Sequence, residues 1–182
     1  MNENSHTVIN AYVQTLIETV CSAGIKKEVY LKPFLNKAFT FEHSGSRVDM
    51  TLMRQLWERA VEMTGDLTIG LRVGEKIRPG SFHIVASIVM NCPTVAQGLE
   101  MMLKYHGLVS EGGTFTYEKH PEGISIIYTP IFMSIPMTPY QVEGVISSIV
   151  NFIRWLLKGD FSPERVTFAH KISHEFDEYE RV

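Results

Sequence analysis

The chain has 182 residues, 45% of them hydrophobic and 20% charged, which suits one domain with a sizeable core. Its net charge of -3 at pH 7 leaves no electrostatic footprint for nucleic acid, which calls for a basic stripe or face. The two cysteines, Cys21 and Cys92, stand far apart and suggest no disulfide framework, and neither a secretory signal nor an apolar run of bilayer length is present. The expectation is a soluble, cytoplasmic protein without a membrane partner.

The first helix is marked by Ile9, Val13, Leu16, Ile17, Val20 and Cys21 on one face, with Gly24 where a C-terminal cap belongs. Asp49 can cap a second helix bearing Leu52, Met53, Leu56, Trp57, Ala60 and Val61, ended by Gly65. A short helix is expected from Leu67 to about Lys76, then a tight turn at Arg78-Pro79-Gly80. The apolar run from Phe82 to Met90 fits a buried helix or a buried strand, and periodicity does not separate them.

Thr94-Val95-Ala96-Gln97 is a capping box, opening a helix with Val95, Leu99, Met102, Leu103 and His106 on one side. The period then changes to two. Thr114 to Glu118 and Ile124 to Tyr128 predict a β-hairpin, its turn built by Pro121 and by a positive φ at Gly123. Thr138-Pro139-Tyr140-Gln141 starts the longest helix, striped by Val142, Val145, Ile146, Ile149, Phe152, Ile153 and Leu156 and closed by Gly159. Val166 and Phe168 alternate with polar residues and predict one further strand, before a charged end, HEFDEYERV. The fold class expected is α+β: a helix-rich single domain, 1–182, with a small antiparallel sheet, one hairpin plus a further strand, packed on helices.

Reactive constellations are missing. None of the seven histidines has the helical spacing of a zinc protease; His170 and His174, near Glu175 and Asp177, suit a solvated end better than a surface metal site. Gly70-x-x-x-Gly74 lies outside any apolar membrane span, and no phosphate-binding glycine loop or G-x-S-x-G elbow occurs. Cys92 reads as a small buried hydrophobe rather than a nucleophile. His106, at a helix end, suits a packed imidazole better than an axial haem ligand. No cofactor and no enzymatic activity are expected.

From Val48 to Ser110 the sequence resembles a known family. Leu56-Trp57, the Thr64-Gly65-Asp66 break, Gly70-Leu71-Arg72, Arg78-Pro79-Gly80 with Phe82, the Thr94 helix and Tyr105-His106 carry the likeness, together with Val166-Thr167-Phe168, His170 and Tyr179. The pattern resembles the N-terminal, arabinose-binding-type regulatory domain of AraC/XylS transcription regulators, in the branch of ornithine-utilisation regulators. His83 departs from it, standing where a small residue is usual. That pattern runs on past Val182 to two helix-turn-helix motifs, which are absent from this chain. The resemblance implies an effector-sensing, dimerising domain with an unidentified small-molecule effector, reaching DNA only through that missing C-terminal domain.

Candidate ligand residues are Arg72 and Arg78, whose guanidinium groups suit a carboxylate, and Trp57, His83, Tyr105 and His106, which pair an apolar body with a polar tip. Each is more often a solvent-facing arginine or a packed core residue. The competing readings are a dimerisation module without a small ligand, a haem-binding sensor, and an unrecognised enzyme. A homodimer is expected to form through a helix with an exposed apolar strip, the Thr138 helix, where Val150, Trp155 and Leu157 lie off the main stripe.

Overall fold

Short strands open the structure where the sequence shows no sign of them. In this computed structural model, which describes residues 6–35, 46–82, 84–131, 136–172 and 176–182, β1 (Thr7–Ile9) pairs antiparallel with β2 (Arg47–Asp49), Val8 opposite Val48. Three residues are too few for a period of two to stand out. The free edge of β1 meets residues 109–111, where Ile9 N–H donates to Val109 O at 2.8 Å and Glu111 N–H to Thr7 O at 2.9 Å. The Arg47 guanidinium donates to the Thr7 hydroxyl at 2.6 Å, and Glu111 accepts from the Thr7 N–H at 2.8 Å.

Most expected helices form with the expected ends. α1 (Asn10–Ser22) buries Val13, Leu16, Ile17 and Val20, although Ile9 belongs to β1 and Cys21 is only half-buried; Gly24 follows at φ 88°. α2 (Lys27–Leu31) is one short turn whose Tyr30 hydroxyl donates to Leu56 O at 2.7 Å. α3 (Met50–Thr64) is capped by the Asp49 carboxylate, which accepts from Thr51 N–H at 2.7 Å, and ends on Gly65 at φ 69°. α4 (Ile69–Lys76) begins two residues later than Leu67, which is exposed. The ambiguous apolar run becomes helix, α5 (Ile84–Met90). In α6 (Val95–Tyr105) the Thr94 hydroxyl accepts from Gln97 N–H, while Val95 is exposed and Gly98, Met102 and Leu103 supply the buried face.

The hairpin forms between β3 (Gly113–His120) and β4 (Gly123–Pro130), with His120 opposite Gly123. Its turn is Pro121-Glu122 alone, and Gly123 does not take a positive φ. Proline at the first central position fixes its own φ, so the turn needs no left-handed residue. α7 (Pro139–Leu157) starts as expected, the Gln141 side-chain oxygen accepting from Thr138 N–H at 2.9 Å. Its left-handed cap is Lys158, at φ 52°, rather than Gly159. The strand expected at Val166–Phe168 is absent: residues 161–172 run irregularly, because they bond to α7 and have no sheet edge beside them. The charged end carries a short helix instead, α8 (Phe176–Arg181).

α7 organises the rest. It packs most extensively on α4, and glycines make the approach possible. A methyl group at Gly70 would meet the Tyr140 carbonyl, and one at Gly74 would meet Ser147 and the Ser148 amide. Across this contact Ser147 donates to Leu71 O at 2.8 Å, and the Asn151 amide donates to Ile77 O at 2.8 Å and Glu75 O at 3.0 Å. The Gly70-x-x-x-Gly74 spacing is therefore a helix-packing device in a water-facing domain. One buried cluster runs from Val8 on β1 through α1, α3, α4, α5 and α6 to Ile153 on α7.

Candidate functional site

One turn of α7 after another presents the same face to an internal space. Gln141, Val145, Ser148 and Ile149, spaced as a helix face requires, form one wall of a cavity of about 60 Å³. α3 contributes Met50, Met53 and Trp57; α6 contributes Met102; the hairpin contributes Phe115 and Tyr128. Met137, just before α7, completes a set of flexible thioethers around the space. Trp57 is 1% exposed and lies tilted against Tyr140, ring centroids 6.1 Å apart.

Polar groups are few here, and most are already engaged. His106 has both ring nitrogens on backbone carbonyls, Nδ1 2.6 Å from Leu103 O and Nε2 2.8 Å from Gly113 O, with Phe115 edge-on at 5.1 Å. Neither nitrogen is left for an axial metal bond. The Ser148 hydroxyl donates to Gly144 O, and Ser110 Oγ accepts from Gly112 N–H at 3.1 Å.

The two phenols differ. Tyr12 is 8% exposed, and its hydroxyl has no hydrogen-bond partner among the described residues. Burial pushes its pKa up to about 12, against a smaller lowering by the neighbouring Ser148. Among the described residues Tyr128 donates only to the Met137 sulfur, at 3.4 Å, a weak acceptor. Burial, then the proximity of Tyr12, raises the Tyr128 pKa as well, so both phenols remain O–H donors at neutral pH.

A family model described as the arabinose-binding domain of AraC transcription regulators, N-terminal, matches residues 40–182. The chain belongs to that family. No curated protein matches the chain. The match supports the family that the sequence pattern suggests; the ornithine-utilisation branch is a finer statement than it carries.

Among the sequence-derived ligand candidates, the fold brings Trp57 and His106 together on the cavity wall. Arg72 lies at the surface, paired with Asp66 at 3.1 Å. Arg78 donates to the carbonyls of Glu75 and Ile77 at 3.0 and 3.1 Å. Tyr105 is half-buried off the cavity lining, the Lys104 ammonium 5.4 Å from its ring centre. His83 lies outside the described residues.

Sequence reasoning missed Tyr12, Tyr128 and Gln141. Tyr12 sits beside the α1 stripe, and Gln141 was explained by capping alone. It also missed a second buried polar group. Glu143 on α7 is 2% exposed; its Oε1 accepts from His170 Nε2 at 3.0 Å and from the Tyr179 hydroxyl at 2.8 Å, while Oε2 is buried without a partner among the described residues. His170 thus turns inward rather than to solvent, and His174 and Glu175 lie outside the described residues. A lone carboxylate just before the uncharged stretch from Gly144 to Ile153 was the available signal.

Proposed function

We propose that this chain is the effector-sensing domain of an AraC-type regulator, in which a small molecule occupying the cavity controls an attached DNA-binding domain. The observation carrying this reading is the position of α7. One face of it lines the cavity through Gln141, Val145, Ser148 and Ile149; another holds Phe161, His170 and Tyr179 through Arg154 and Glu143. A ligand that prefers one placement of α7 shifts the population of both faces together, which is what linkage between an effector site and a distant domain requires. Nothing in the role calls for catalysis, for a bound cofactor or for a membrane, and cytoplasmic residence beside DNA fits it. Trp57 and His106 belong to this effector site; Arg72, Arg78 and Tyr105 are left as outer candidates, and His83 lies outside the described residues.

The same reading includes a homodimer, since paired DNA half-sites call for two-fold geometry. Of the apolar strip expected on α7, Val150 is 9% exposed and lies inside the domain, whereas Trp155 and Leu157 are 39% and 46% exposed and remain available for contact.

Amide hydrogen exchange with a panel of small metabolites tests the effector role. A binding metabolite is expected to slow exchange both at the cavity wall of α7 and in residues 161–172. Protection confined to a surface patch, with the cavity wall unchanged, overturns the reading.

A further inference from the structure

We propose that the effector cavity takes a compact, uncharged, mainly hydrocarbon ligand carrying one hydrogen-bond-accepting oxygen, a ketone or lactone in type, gripped by the hydroxyls of Tyr12 and Tyr128. This rests on the effector reading above and departs from the sugar in the family's description.

The argument is a count of unmet hydrogen-bonding capacity. A pentose carries a hydroxyl on nearly every carbon, and each one stripped of water needs a partner or carries a desolvation penalty. The cavity cannot supply that number. His106, Ser110 and Ser148 are already bound to backbone groups, and the Gln141 side-chain oxygen is held by Thr138. What remains are donors: the Gln141 amide N–H groups, the Ser110 O–H, and two phenols, Tyr12, with no partner among the described residues, and Tyr128, with only a thioether among them. Two phenols lining one apolar space, close enough to influence each other's ionisation, define a place for one acceptor oxygen. An orphaned phenol in a native interior is also rare enough to call for an occupant.

Charge is excluded on similar grounds. Among the described residues no Lys, Arg, Asp or Glu lines the space, so an ammonium or a carboxylate would enter without a full counter-ion there. Size follows from the volume. At about 60 Å³ the cavity is smaller than the ~150 Å³ apolar cavity known to admit benzene. A ring of five or six atoms therefore fits only as Met50, Met53, Met102 and Met137 swing aside, which three rotatable bonds apiece allow.

Three probes separate the possibilities on the full chain, followed by the amide resonances of the cavity wall: cyclopentanone, benzene and L-arabinose. Cyclopentanone is expected to bind most tightly and to shift resonances of α7 and α3. Tyr12→Phe should weaken cyclopentanone by about three- to tenfold, the loss of one neutral hydrogen bond, and leave benzene within twofold. Tyr128→Phe should act in the same direction, and the ranking of the three probes on the unaltered chain decides the matter should either variant fail to fold. Preferential binding of L-arabinose at these residues overturns the ligand class while leaving the effector role intact. Equal weakening of benzene and cyclopentanone by Tyr12→Phe removes the hydroxyl as the recognising group and overturns the proposal. Failure of cyclopentanone to perturb the cavity overturns the ligand class, while the effector role is decided separately by hydrogen exchange with the metabolite panel.

Discussion

At the scale of single residues, two carboxylates do contrasting work. Glu143 is buried and accepts from both His170 and Tyr179 through one oxygen, so removing a donor leaves a desolvated acceptor less well satisfied. Tyr179→Phe is expected to cost about 1.5–3 kcal/mol by urea denaturation, the range for a hydrogen bond to a charged group. A change below about 0.5 kcal/mol, that of an ordinary surface substitution, would show that Tyr179 does not dock on α7. Glu111 is half-exposed and holds β1 to the turn after α6. The Thr7 hydroxyl, then its amide and the Arg47 guanidinium, lower the Glu111 pKa against a partial rise from burial. A carboxyl depressed in the folded state stabilises above its unfolded pKa and loses that contribution as pH falls through the folded value. Stability should therefore decline on the acid side, below about pH 4.3, by a modest amount because the pair is solvated. Glu111→Gln should flatten that part of the pH–stability profile; an unchanged acid limb would contradict the assignment.

Single elements show where helix packing overrules local propensity. Glycine inside α4 costs conformational entropy that alanine would not, roughly 0.5–1 kcal/mol at each site. At Gly74 the saving is unavailable, since a methyl group would run into Ser147 and the Ser148 amide. Gly74→Ala is expected to destabilise by about 1–3 kcal/mol, the usual cost of overpacking. Thermal unfolding gives the sign, and stabilisation would mean that α4 and α7 do not pack as closely as described. On α7 itself, Ile149 is 8% exposed and also meets the cavity. Ile149→Ala should cost ~2–5 kcal/mol by denaturant titration, towards the lower end if the residual space can relax. A loss under about 0.5 kcal/mol would turn α7 the wrong way round.

For the whole molecule, the question is whether Trp155 and Leu157 meet a second copy. Sedimentation equilibrium across a concentration range is expected to show a species near twice the 20.7 kDa chain mass. Mass holding at one chain up to hundreds of micromolar would place dimerisation elsewhere in the regulator. The double change Trp155→Ser and Leu157→Ser should dissociate the dimer without lowering the monomer's melting temperature much, because both side chains are already exposed. The asymmetry of α7 makes this helix the centre of the arrangement: Gly144 and Ser147 toward α4, mainly apolar side chains toward the cavity, one carboxylate toward the C-terminal segment.

What the sequence determined by itself was local. Helix ends were legible because Asp49, Thr94, Gln141, Gly24 and Gly65 satisfy backbone groups within a few residues of where they sit. The hairpin was legible because its strands are eight residues long and pair at once across a turn. The family could also be read, since its motifs are contiguous stretches. Only the tertiary structure decided the rest. β1 and β2 exist through a partner about forty positions away, and Val166–Phe168 stays irregular for want of one. Trp57 and His106 could be proposed for a site from their chemistry, yet Arg72 and Arg78 had the same standing until their partners were seen. Tyr12 and Tyr128 are 116 residues apart, a separation no periodicity spans; packing brings their hydroxyls to one apolar space.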